Sequence, residues 1–235
     1  MIYKLFRQSI SSLSPTPQPY AGPALKPLGP SIWCAERELQ LNWGLSLPLR
    51  MVVIANDRGE LLLYSPILFD PATGAALRGL GTVRWIVTPN PIHGYFVNSY
   101  RTAYPDAVRL GPSPERVNQF EPWLDTKLVR TRDDYGEICA YHHASRTLIL
   151  SDLAFNIHSA GRTARWLLRF NDAWQKFGPT RLQRAMVMKN NRALQEFCQW
   201  AIARDFEQIS VSHGALVTIN AKQVFQHAFR RWLPT

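Results

Sequence analysis

The apolar residues of this chain fall into short runs separated by turn formers, and the spacing within each run predicts an element. "RMVVIA" (50–55) and "ELLLYSPI" (60–67) flank "NDRG" (56–59), two β-rich runs around a turn with a glycine to take positive φ, hence a hairpin. "DPATGAALRGLG" (70–81) predicts a short helix, with Asp70 as its cap, Pro71 at the first position and Gly79 or Gly81 at the stop. "TVRWIVT" (82–88) and "AVRL" (107–110) read as strands, and "PSPERVNQF" (112–120) as a short helix between loops. "EICAYHHASRTLILSD" (137–152) places two runs around His143–Arg146 and predicts a second hairpin.

The C-terminal half changes period. Over 161–177, Trp166, Phe170, Trp174 and Phe177 share one helical face, and Arg162, Arg165, Arg169 and Lys176 share the adjacent one. Gly178-Pro179 breaks this helix. A longer one is expected to about Arg204, with Leu182, Met186, Ala193, Phe197 and Trp200 inward. "QISVSHGALV" (208–217) predicts a strand ending in a turn, and Asn220 caps a last helix carrying Val224, Phe225, Ala228, Phe229 and Trp232 on one face. Hairpins mixed with crossovers argue for an α/β (α+β) domain with mixed sheets rather than one doubly wound parallel sheet.

Residues 12–30 carry six prolines, which exclude a helix interior or a central strand, so residues 1–30 read as an extended arm and 31–235 as the domain. No run approaches the roughly 18 apolar residues of a membrane span. Cys34, Cys139 and Cys198 are odd in number and far apart, which implies no disulfide framework and suggests a reducing, cytoplasmic setting. The net charge is +10, of which +7 falls in residues 161–192, where eight Lys and Arg face Asp172 alone. That segment suits non-specific contact with nucleic acid or an anionic ligand, or simply a solvated helix face. It carries no base-reading motif.

Candidate chemistry gathers just after predicted strands: His93 in "TPNPIHGYF", His142 and His143 in "CAYHHAS", Asp152 in "LILSDL" and His213 in "SVSHGAL". In α/β sheets the loops at strand carboxyl ends converge, and imidazole with carboxylate suits zinc or iron. Each residue also has a plain reading as a turn or capping group. His142 and His143 alternate across their strand, so one of them at most faces a given site. His158 and His227 read as structural. Ser145 and Arg146 offer an anion contact or only a hairpin turn.

The order of these motifs resembles the metallo-β-lactamase superfamily: an early hairpin, a strand leading into a histidine-bearing turn, a strand ending in aspartate and a late strand ending in His-Gly. The likeness spans about residues 31–233. "TPNPIHGYFVNSYRTAYPDA" and "HHASRTLILSDLAFN" resemble a divergent branch known as an uncharacterised domain of unknown function. The resemblance implies a four-layer αββα sandwich with the site along one edge between two sheets. It puts Asp152 in the place of the aspartate that usually bridges two metals, His213 in that of the last histidine ligand and His142 in that of the middle one. The family's opening string, His-x-His-x-Asp-His, is altered here. With the threonines in register, Pro89 and Pro91 take the first two histidine positions, His93 the aspartate position and Gly94 the last histidine position.

Proline offers no metal-ligating side chain, so the resemblance implies a depleted centre: one zinc or iron ion, not two, at His93, Asp152 and His213, with His142 as a fourth member. A metal there would acidify a bound water for hydrolysis of an ester, thioester or phosphoester. Two readings stay open. One is a mononuclear hydrolase with no catalytic residue assigned. The other is a non-catalytic binding module that uses the basic face of 161–192 for an anionic ligand or nucleic acid. Oligomeric state is not legible.

Overall fold

The structure is a computed structural model that describes residues 22–41, 45–113, 120, 122–132 and 135–233. In it β1 (Lys26–Gly29), β2 (Ile32–Leu41), β3 (Leu45–Ala55), β4 (Glu60–Tyr64), β5 (Thr82–Val87) and β6 (Val108–Leu110) form one sheet in that order. Its first four strands are antiparallel, and β4, β5 and β6 run parallel. The second sheet contains β7 (Leu124–Arg132), β8 (Tyr135–His142), β9 (Thr147–Leu150) and β10 (Gln208–Val211), antiparallel except for the parallel pair β9–β10. The helices are α1 (Pro71–Leu80), α2 (Arg162–Phe170), α3 (Arg181–Met186), α4 (Asn191–Ile202) and α5 (Ala221–Phe229).

The continuous apolar runs are explained by burial on both faces of each sheet. Met51, Val53, Leu61 and Leu63 point outward to Leu77 of α1, while Val52, Ile54, Leu62 and Tyr64 point inward to Ile138, Ala140 and Ile149 of the other sheet. On the far side, Cys139, Leu148, Leu150 and Val211 pack against Leu194, Phe197, Phe225 and Phe229 of α4 and α5. The layers are therefore helix, sheet, sheet, helix, with mixed sheets as expected. Such double-sided strands carry near-continuous apolar sequence rather than alternation.

The first hairpin is β3–β4, and α1 starts at Asp70, which accepts from Thr73 N at 2.8 Å, and stops at Gly81. Pro27 lies in β1, an edge strand, where the missing N–H costs no central ladder bond, so the sheet begins inside the Pro-rich stretch, at Lys26. The helix expected over 112–120 lies almost wholly outside the described residues.

Three helix expectations need correction. The helix expected over 161–177 ends at Phe170, because Asp172 and Gln175 take positive φ and Trp174 and Gly178 bridge to Ile157 and Phe155. The helix expected from 180 to 204 is two, α3 and α4, since Met188 is buried and Thr131 O takes the N–H groups of Lys189 and Asn190. Leu182 is accordingly exposed rather than inward. Asn220 does precede the last helix, but at φ 50° and with no side-chain cap bond. Among the described residues no helix is long and apolar enough to cross a membrane.

Candidate metal centre

β9 and β10 run parallel with Leu150 level with Val211, so the residues two past each end, Asp152 and His213, stand side by side at one edge. His93 comes from the loop after β5 of the other sheet. Among the described residues, His93, Asp152 and His213 form the one group of three or more His, Cys, Asp or Glu close enough to share an ion. His93 Nε2 lies 3.2 Å from Asp152 Oδ1 and 3.2 Å from His213 Nε2, and His213 Nε2 lies 3.0 Å from Asp152 Oδ1. Adjacent ligands of an ion bonded at about 2.0–2.2 Å are about 3.0–3.5 Å apart, so the triangle has the size of a ligand set.

The hydrogen bonds behind the rings decide what belongs at its centre. His213 Nδ1 is 2.9 Å from the Pro48 carbonyl, which only accepts, so Nδ1 donates there and Nε2 is the nitrogen that faces the Asp152 carboxylate. An imidazole nitrogen and a carboxylate oxygen 3.0 Å apart share a cation, either the proton of a hydrogen bond or a metal ion. His93 Nδ1 meets Ser65 Oγ at 2.7 Å, and Ser212 donates to Ser65 at 3.1 Å. Both imidazoles are thus oriented from behind in the way that metal-bound histidines are. Phe155 stacks on the His213 ring at 4.7 Å and 19°. The three residues fit a metal ion.

Asp152 is held from several sides. Burial, the largest influence, pushes its carboxyl up, but the attraction and hydrogen bonds of His93 and His213 outweigh burial and hold it well below the usual carboxylate range. Its other oxygen, Oδ2, accepts from Asn90 Nδ2 at 2.9 Å and from Tyr135 Oη at 3.2 Å. The Gln183 amide donates to its carbonyl. Fully buried Glu137 gathers the N–H groups of Ser151, Asp152 and Leu153 at 2.8, 2.8 and 3.0 Å and so fixes the turn. Burial and the nearby Asp152 charge push Glu137 up, against those three N–H bonds, to about 8.

The stiff "TPNPIH" turn has a related purpose. Asn90 is buried between two prolines; its oxygen accepts from the N–H groups of Ile92 and His93 while its amide reaches Asp152. Pro89 O accepts from Ile138 N at 2.8 Å, which ties the loop to β8 of the second sheet.

His142 does not join this group. β8 runs antiparallel to β9, pairing His142 with Thr147, so the carboxyl end of β8 lies at the start of β9, away from Asp152. The buried His142 ring instead bonds Ser145 Oγ at 2.7 Å, while His143 points outward to Asp125 at 2.7 Å, as alternation requires. Ser145 is further engaged by Thr147, and Arg146 by Glu207 and the Asp205 carbonyl, so neither lines the histidine–aspartate edge. Sequence reading misses Ser65, Asn90, Tyr135, Glu137 and Gln183. Glu137 alone leaves a signal, as an acid opening an otherwise apolar run.

No protein-family model matches the chain, and no match is found among curated protein sequences. Solved structures do match in shape. A fragment (residues 1–254) of a putative diflavin flavoprotein from Nostoc sp. PCC 7120 superposes with a TM-score of 0.62 at 12% identity, over 88% of this chain and 95% of that one. The metal-soaked Flv1 flavodiiron core from Synechocystis sp. PCC6803 gives 0.61 at 10% identity, over 88% of this chain, which spans 60% of that one. A metallo-β-lactamase from Erythrobacter litoralis in its mono-zinc form gives 0.56 at 12% identity, over 91% and 100%. The chain has the metallo-β-lactamase fold.

Proposed function

We propose that this chain is a hydrolase that uses one zinc or iron ion held by His93, Asp152 and His213, acting on an ester, thioester or phosphoester. The observation that carries this reading is the triangle of donor atoms 3.0–3.2 Å apart in which His213 Nδ1 is already committed to a backbone carbonyl. A bound ion would supply a water acidified enough to act as a nucleophile near neutral pH. The chain's own groups do the positioning. Pro48 and Ser65 orient the two rings, Phe155 covers one face of His213, and Glu137 holds the turn that presents Asp152. The similar structures described as metal soaked and as mono-zinc support a metal in this fold.

One ion rather than two is supported by two observations. Pro89 and Pro91 offer no side-chain donor, and the Asp152 oxygen left for a second ion is already occupied by Asn90 and Tyr135. The three buried free thiols support a reducing, cytoplasmic setting.

Protein purified without tag or chelator should carry about one equivalent of zinc or iron. It should also cleave a chromogenic ester or phosphodiester, and lose that turnover on chelation. Protein that neither retains nor takes up zinc, and turns nothing over, would favour a non-catalytic module that binds an anionic ligand through residues 161–192.

A further inference from the structure

The aromatic residues of α2 are turned to solvent. Trp166 and Phe170 are 67% and 69% exposed, Leu167 and Leu182 are 41% and 46% exposed, and together they make four of the seven large exposed hydrophobics among the described residues. The two rings stack on each other at 6.1 Å and 10°. Asn171 binds the patch into one piece: its carbonyl accepts from Arg181 N and its side-chain oxygen from Leu182 N, both at 2.9 Å. Single exposed hydrophobics need no explanation, but a contiguous aromatic and aliphatic patch does.

Charge identifies what covers it. Exposed Arg162, Arg169 and Arg181 border the patch. Asp172, the one acid in residues 161–192, is neutralised by Lys176 at 2.8 Å and Arg184 at 2.9 Å. We propose that the Trp166–Phe170 face of α2, with Leu182 of α3, docks the protein onto an anionic lipid surface. Trp, Phe and Leu flanked by arginine is the composition of a helix lying in a membrane interface. Nucleic acid is the poorer fit. Leu167 and Leu182 offer nothing for base stacking, and Arg165 is turned inward over Trp174 at 5.3 Å with its Nε buried. Docking requires no ion at the histidine–aspartate edge. The two regions nevertheless adjoin, since Gln183, next to Leu182, bonds the Asp152 carbonyl.

The test is co-sedimentation of the full chain, with chelator present throughout, on phosphatidylcholine vesicles with and without about 30% phosphatidylserine. Wild type should bind the anionic vesicles and lose most of that binding between about 0.1 and about 0.5 M salt. W166S/F170S should bind at least about tenfold more weakly while keeping its circular dichroism spectrum. R162Q/R169Q should lose about five-fold or more per cation removed, on anionic vesicles only. No vesicle binding by wild type, or equal binding by folded W166S/F170S, overturns the proposal. So does a single-stranded oligonucleotide complex, or self-association, that the aromatic pair abolishes in the absence of vesicle binding. Loss of metal binding or turnover in any variant bears only on the centre, because the chelator removes it from this assay.

Discussion

His142 and His213 are both buried histidines at the carboxyl end of a strand in the same sheet, yet only one of them meets an acid. β10 runs with β9, so His213 follows Asp152 to the same edge. β8 runs against β9, which leaves His142 level with Thr147, about 15 Å along the strand direction from Asp152. There it finds hydroxyls, with Ser145 at 2.7 Å and no carboxylate partner, while His213 finds Asp152 at 3.0 Å. Strand direction, not residue type or position at a strand end, decides which histidine becomes a candidate ligand.

The strongest way to break this comparison is to remove what holds the acid in place. Glu137→Ala leaves three buried N–H groups without their acceptor. Orphaned buried donors cost about 1–3 kcal/mol each, so with partial relaxation the loss should be on the order of 3–5 kcal/mol in urea unfolding. A loss under about 1 kcal/mol would mean that the turn presenting Asp152 does not depend on this carboxylate.

Next in size is a paired substitution. Asp152→Ala should weaken zinc binding by more than about a hundredfold, beyond the loss that follows removal of a mere supporting group, whereas His142→Ala should leave it unchanged. Equal losses in calorimetric titrations would place His142 in the ligand set.

A pH series separates the two histidines by a different property. Burial, assisted by neighbouring His143, pushes His142 down from 6.5 to about 4. Its neutral form is the one that the fold accommodates. The unfolded chain takes up a proton near pH 6.5 and the folded chain does not until near pH 4. Stability present above pH 6.5 is therefore lost as pH falls toward 4, and this contribution levels off below that. The loss should be about 3 kcal/mol, with His142→Asn flattening that part of the curve. A His142→Asn profile parallel to wild type would contradict it. Smallest is Ser65→Ala, which removes the bond behind His93 and should cost about tenfold in metal affinity with little change in unfolding.

The sandwich is legible in the sequence because its strands are buried on both faces, and runs such as "RMVVIA" therefore carry no polar alternation. Its helix boundaries are less so. Phe177 is buried like a helix-face residue but sits in irregular chain beyond α2, so the spacing of 166, 170, 174 and 177 imitates a helix that stops at Phe170. The same spacing cannot say which way a face points, and Trp166 and Phe170 point outward. At the site, His93, Asp152 and His213 are legible from residue type and strand ends. Asn90, Tyr135 and Glu137 act through contacts that exist only once the two sheets and the loop after β5 have come together.

The central claim is that one ion is held by His93, Asp152 and His213. Anomalous-difference maps from crystals of the tag-free protein, collected across the zinc and iron edges, test it most directly. The expected result is a single peak within about 2.0–2.2 Å of His93 Nε2, His213 Nε2 and Asp152 Oδ1. Two peaks, a peak at His142, or protein that takes up neither metal when soaked would contradict it.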